Sequence, residues 1–303
     1  MRILIVLLIF MINAGSVYAQ KLKPYVLAGV EQGTIKEAEA KVTGMLESNG
    51  FEILGKYSPM DDPERIVICV TNDDLKGSVI SQGGLRGFAA VLRVGIHMNY
   101  GENEISYQNP KYWGNAYYQK DYPQVSANYD KMSKTFKSTF SGLAEVKDEE
   151  FGSKGGKSEK DLRGYRYKMM MPKFHDVDEL AKKTNYNEIL TQIRETFENG
   201  SENFKKVYEI SFPEQKLTLF GVALTGEKGE KHFLPKIDIK EPKHLPFAPY
   251  EVLVMEDKVV ALRGRYRIAI SFPDLSMGTF MKISSAPGDI KDALKKIVEN
   301  RKK

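Results

Sequence analysis

Six aromatic side chains, Tyr107, Tyr112, Trp113, Tyr117, Tyr118 and Tyr122, fall within sixteen consecutive residues, and Trp113 is the only tryptophan in the chain. Rings with a polar tip bury area yet accept water at one edge, so such a cluster suits stacking against a sugar or an aromatic ligand. Arg263, Arg265 and Arg267 alternate along a second stretch. On a β-strand that spacing places three guanidinium groups on one face and Leu262, Tyr266, Ile268 and Ile270 on the other. A ridge of planar forks matches carboxylate or phosphate. Tyr112, Trp113, Tyr118, Arg263, Arg265 and Arg267 are therefore the expected ligand-binding residues. The expected occupant is a small anionic or aromatic ligand, or a protein partner.

Other residues offer other chemistry. His97 and Arg93 share the polar face of one strand pattern, and with a carboxylate from elsewhere they could form an acid–base pair of a hydrolase-type enzyme. Met169 and Met171, with His175, carry the soft donors that suit Cu(I), the pattern of a copper-handling protein. Gly83-Gly84-Leu85-Arg86-Gly87 could point backbone N–H groups at an anion. The chain contains no G-x-S-x-G elbow, H-E-x-x-H, P-loop or dinucleotide G-x-G-x-x-G. With four histidines in 303 residues, no metal site and no cofactor are assigned, and catalysis stays open. The leading expectation is a non-enzymatic binding or interaction module.

Export is legible at the start of the chain. Arg2, the apolar run Ile3 to Ile12 and the small residues Val17 and Ala19 stand in the order of a cleavable signal peptide. Residues 1–19 are expected to be removed, leaving Gln20 first in a soluble periplasmic or secreted protein. The run is about half the ~20 residues needed to span a bilayer, and no later stretch is apolar enough, so no integral membrane segment is expected after processing. The net charge of +5 from 45 basic and 40 acidic residues is mild and interspersed. It leans toward anionic partners and lacks the dense basic stripe of a nucleic-acid binder. The single cysteine, Cys69, lies in an apolar β-type run and reads as a small buried hydrophobe.

The elements come in one order, twice. Thr34 and Glu37 form a capping box ahead of a helix stopped by Gly50, with Ile35, Ala38, Val42, Met45 and Leu46 inward. Asn185 and Glu188 begin a second such helix, stopped by Gly200. Strands follow each: residues 51–57 and 66–70 in the first half, and Phe204 to Ser211 and 217–219 in the second. Pro59 and Pro213 close the first strand of each pair. A hairpin over residues 90–108 matches one over 250–272, in which 259–272 reads as one long strand. The terminal helices are expected at 129–140 and 289–300. The fold class is thus α+β, with two similar domains, residues 20–144 and 165–303, each a mostly antiparallel sheet packed with helices. The charged, Gly/Ser/Lys-rich stretch 145–164 reads as a linker or exposed loop. Residues 165–172 read as the first strand of the second domain.

Tyr107-Gln108-Asn109-Pro110, after a hairpin that starts Val91-Leu92-Arg93-Val94, resembles the end of the bacterial family known as domain of unknown function 302. Leu219-Phe220-Gly221, then Leu245-Pro246 and Val252 to Asp257, resemble the same family in the second half. The resemblance covers residues ~24–143 and ~164–300. It implies a compact sandwich of helices on a sheet, duplicated in tandem, and brings no established activity. Val70-Thr71-Asn72 stands in the first half in place of Phe-Gly, and the second half carries a long charged connection, Gly226 to Lys243.

Overall fold

Helix α1 (Ile35–Ser48) begins where its cap directs. The Thr34 hydroxyl accepts from the Glu37 N–H at 3.3 Å, and the Glu37 carboxylate accepts from the Thr34 N–H at 2.8 Å. Two donors that a helix start leaves bare are thereby satisfied. Ala38, Val42 and Leu46 form its buried stripe. The geometry is that of a computed structural model describing residues 21–182 and 185–299. The expected signal peptide lies outside the described residues.

The first half runs β1 (Tyr25–Glu31), α1, β2 (Glu52–Tyr57), β3 (Arg65–Thr71), α2 (Asp73–Gln82), β4 (Leu92–Asn99), β5 (Glu102–Gln108), α3 (Pro110–Tyr118), α4 (Ser126–Thr139) and β6 (Glu145–Phe151). A short α5 (Glu159–Arg163) follows. The second half runs β7 (Val177–Lys182), α6 (Tyr186–Glu198), β8 (Lys205–Phe212), β9 (Leu217–Ala223), α7 (Glu230–Ile237), β10 (Tyr250–Met255), β11 (Lys258–Leu262), α8 (Gly264–Ser271), α9 (Met277–Lys282) and α10 (Ala286–Lys295). The chain is α+β, built on two antiparallel sheets packed with helices. Their orders are β2-β3-β4-β5-β1-β6 and β8-β9-β10-β11-β7. Apart from β6, the two sequences of strands are the same. Bulges also fall at matching places: between Leu27 and Gly29 in β1, as between Glu179 and Ala181 in β7, and between Ile53 and Gly55 in β2, as between Lys206 and Tyr208 in β8.

The halves interlock rather than lie side by side. The 3-10 turn Gly84–Ala89 of the first half packs on β9 and β10 of the second. The 3-10 turn Leu245–Phe247 of the second packs on β4 and β5 of the first. Glycines allow both approaches. A Cβ on Gly87 would stand 2.6 Å from Leu253, and one on Gly95 would stand 3.0 Å from Leu245. Buried side chains from both halves consequently form one continuous core.

Along the line where the halves meet, equivalent positions touch. Arg93 and Glu251, each second in its central strand, form an ion pair with both side chains buried. The Tyr208 hydroxyl donates to Glu251 at 2.8 Å. Trp113 and Arg267, each fourth in its helix, make a cation–π contact at 5.2 Å. Tyr112 donates its hydroxyl proton to the Ile270 carbonyl at 2.8 Å, and Tyr266 reaches the Ala116 carbonyl at 3.5 Å. These two bonds are reciprocal, since each joins the third residue of one helix to the seventh of the other.

Several expected elements differ. Residues 145–164 are not a free linker: β6 pairs with β1, and Lys157 bridges to Leu22. Strand β6 sits at the sheet edge with most of its side chains toward water, so its charged composition mimics a loop. Residues 165–172 form no strand; the first strand of the second half is β7. The run 259–272 is a short strand and then α8, whose residues from Tyr266 to Ser271 are all buried. A helix buried on all sides after its first turn has too little polar face to reveal its period. The hairpin exit at Gln108-Asn109-Pro110 therefore corresponds to Leu262-Arg263-Gly264, and not to the stretch ending at Pro273. The connection 226–243 holds α7. Among the described residues, no helix is long and apolar enough to cross a membrane.

Removing one partner of a buried ion pair strands the other charge. Arg93→Leu is expected to destabilise the protein by about 3–5 kcal/mol, and Arg93→Leu/Glu251→Leu by clearly less. Urea denaturation of these two variants and of Glu251→Leu checks this; a double variant as unstable as the sum of the two single ones would show the pair to be uncoupled.

Candidate functional site

The structure divides the residues expected to bind ligand. Trp113 is 2% exposed, and its indole N–H donates to the Pro24 carbonyl at 2.8 Å. Tyr112 and Tyr118 are fully buried. The aromatic cluster is thus the filling between two sheets, with no free ring face for a ligand. The arginine ridge is broken because its backbone is helical from Gly264 onward. Arg267 is buried, donating to the Phe247 carbonyl at 2.6 Å and to Ser271 Oγ at 2.9 Å. Arg263, the residue before α8, and Arg265, in its first turn, point outward and stay together.

Those two arginines help line an open cleft of about 760 Å³. Arg166, from the loop after α5, and Lys291, from α10, add positive charge, and Asp176 and Asp178 oppose it. Lys291 reaches Asp178 at 3.2 Å, and Arg263 lies 3.9 Å from the same carboxylate. Arg166 and Arg265 are exposed, and among the described residues neither is in an ion pair or a side-chain hydrogen bond. Asp176 is held below its ordinary pKa, chiefly by the Lys173 backbone N–H, with His175, Arg263 and Arg166 contributing. Met170, Met171 and Pro172 supply an apolar wall.

The other candidates are also placed. Met169 and His175 stand outside that lining, so the thioethers and the imidazole expected for copper do not share one cleft wall. Arg86 of the glycine-rich stretch is engaged by Asp121 at 2.6 Å. Cys69 is free and fully buried, and burial pushes its thiol up to about 12, which makes it inert. Arg93 and His97 share a face of β4, but Arg93 is committed to Glu251. His97 does find a carboxylate, Glu241, with 3.8 Å from its Nδ1 to Oε2.

One further cavity was not legible beforehand. It encloses about 310 Å³ between the halves and is lined by Lys56, Tyr57, Met60, Lys205, Lys206 and Glu230, among others. Glu230, the first residue of α7, is 2% exposed. Its carboxylate accepts from the Tyr57 hydroxyl at 3.0 Å, the Met60 N–H at 3.2 Å and the Leu224 N–H at 3.2 Å. Burial nonetheless pushes it up from 4.5 to about 7. A carboxyl with that pKa beside a cavity has the chemistry of a general acid or base. Here, however, both oxygens are occupied in clamping the first half to the second. The spacing of Phe233, Leu234 and Ile237 was the signal that a helix lay in this charged connection.

No protein-family model matches the chain, and no curated protein does. Among solved structures it is similar to one described as the crystal structure of the uncharacterized conserved protein DUF302 from Bacillus stearothermophilus. Identity is 16% and the TM-score 0.34, over 38% of this chain and 94% of that one.

The Glu230 clamp implies a pH signature. Between its unfolded value of 4.5 and about 7, the folded protein retains a proton that the unfolded chain has released. Stability from this group is therefore greatest below 4.5 and falls as pH rises to about 7, by at most about 3 kcal/mol. Asp238, pushed up by burial to about 7, acts in the same sense. His244, lowered by burial to about 4, acts in the opposite sense, adding stability as pH rises from 4 to 6.5. Glu230→Gln isolates the first effect. Between pH 4.5 and pH 7.5 the wild type should lose stability relative to this variant; a flat difference in urea midpoints would exclude a strongly raised Glu230.

Proposed function

We propose that the protein is an exported, non-enzymatic binding protein that holds a small anionic ligand in the cleft of Arg166, Arg263, Arg265 and Lys291. One observation carries the reading: two exposed guanidinium groups, Arg166 and Arg265, face the same concavity without ion-pair partners among the described residues. Unpaired guanidinium forks are suited to carboxylate or phosphate, and a shared concavity lets two act on one ligand. Met170, Met171 and Pro287 on the wall favour a ligand with an apolar portion beside its charge. We further propose that the two halves are copies of one α+β unit of the domain of unknown function 302 type, spanning residues 20–144 and 165–303. The common strand order, the matched bulges and the reciprocal tyrosine bonds support this.

Inorganic phosphate, citrate and phenyl phosphate serve as probes in thermal-shift titrations. At least one should raise the Tm, with an effect weakened by salt. Arg166→Gln/Arg265→Gln, at two exposed positions, should remove most of that shift while leaving the ligand-free Tm within about 2 °C. No shift with any of the three, or an undiminished shift in the double variant, counts against the cleft.

Export is checked separately. Expressed from Met1, the protein should be recovered from the periplasm or medium with Gln20 at its N-terminus. Recovery of an intact N-terminus in the cytoplasm would remove export from the proposal.

A further inference from the structure

We infer that His97, Glu104 and Glu241 form a binding site for one divalent cation of the zinc class. His97 on β4 and Glu104 on β5 are direct cross-strand partners, and the segment leading to β10 brings Glu241 over them. One ligand atom from each lies within 4.8 Å of the other two. The 3.8 Å between His97 Nδ1 and Glu241 Oε2 is too long for a hydrogen bond. It approaches the spacing of two ligands on one ion, roughly 3–3.5 Å when each bond is ~2.1 Å.

The unpaired atoms carry the argument. His97 is 9% exposed, and its Nδ1 is buried with no hydrogen-bond partner. Glu104 Oε2 is likewise buried without a partner. Buried polar atoms nearly always have one, so two such atoms in a single cluster require an explanation. Each carboxylate has its other oxygen held. Asn99 Nδ2 donates to Glu104 Oε1 at 3.1 Å, and Lys243 Nζ lies 2.9 Å from Glu241 Oε1. Outer groups that fix one oxygen and leave the second free are what orient carboxylate ligands around a metal.

The charges nearby are mixed. Arg65 lies opposite His97 on β3, and with Lys243 it balances the two glutamates. Arg65 is drawn aside by Asp62 at 3.1 Å, and Lys243 sits on the far oxygen of Glu241. Burial lowers the His97 pKa, which disfavours its charged form. Glu241 is 40% exposed, which leaves a route for the ion and for waters that complete its shell. One imidazole and two carboxylate oxygens suit Zn²⁺ better than Cu(I), which prefers sulfur, or Ca²⁺, which takes oxygen alone.

Chelator-treated protein titrated with Zn²⁺ at pH 7.5 should take up one equivalent saturably. Co²⁺ in its place should give visible absorption of an inner-sphere complex. Glu241→Gln and His97→Gln should each weaken Zn²⁺ at least about tenfold and alter the Co²⁺ spectrum. Glu241 lies on an exposed connection, so its variant decides the matter should the strand variant fail to fold, with circular dichroism as the check. Absence of saturable Zn²⁺ uptake, or wild-type affinity and spectrum in Glu241→Gln, overturns the site.

Discussion

The ion pair between Arg93 and Glu251 ties the molecule together. Two charges removed from water are costly, and they are tolerated only when each finds the other in good geometry with further hydrogen bonds nearby. Burial is the largest influence and works against the Arg93 charge, yet its pKa is raised because Glu251, together with Tyr208, Cys69 and Tyr117, more than compensates. Central strands β4 and β10 must therefore meet at one register. Slipping either by a residue would turn its charge away from the other and leave both buried and alone. The interlocked 3-10 turns and the Trp113–Arg267 contact lie along the same line, and they fit only when that pairing is made.

The same line bears on how the halves are related. Arg93 and Glu251 hold equivalent places, as do Trp113 and Arg267. In a symmetric pair of identical units, an axial residue faces itself, and two arginines there would repel. A single chain is free of that restriction, because each copy can hold a different residue at the shared position. On the proposed duplication, fusion into one chain is what permits Arg opposite Glu and Trp opposite Arg. On the same proposal, fusion would also account for the one continuous core formed by both halves.

What the sequence disclosed follows from exposure. Helices α1 and α6 each have one wet face, so their apolar period and caps were readable; β4 is buried on both faces, and its alternation was readable because Arg93 and His97 lie on one of them. Helix α8 is buried from Tyr266 to Ser271 with only Arg265 of its first turn exposed, and its Arg-x-Arg-x-Arg spacing imitated a strand. Strand β6 is wet on an edge, and its charges imitated a linker. The aromatic run on α3 was misplaced for a related reason. A single sheet with helices on it could leave such rings exposed, but two sheets sharing an inner layer need bulky side chains to fill it. His97, Glu104 and Glu241 come from three separated segments, and nothing in their spacing joins them. Of the three arginines expected on one strand face, Arg263 and Arg265 point outward at the start of a helix and Arg267 is buried.

An interior spent on joining the halves leaves chemistry to the periphery, where the halves differ. The ladder rung that holds His97 and Glu104 in the first half holds Met255 and Lys258 in the second. A thioether beside an ammonium cannot replace an imidazole beside a carboxylate as a site for a hard or borderline cation. The cationic cleft is likewise one-sided, bounded by the loop after α5 and by α10. Duplicated folds commonly keep their packing positions alike and vary their surface, since changes in a dense core cost more than changes in a solvated rung or loop. On the proposed duplication, function in this chain is to be sought where a position in one half differs from the corresponding position in the other.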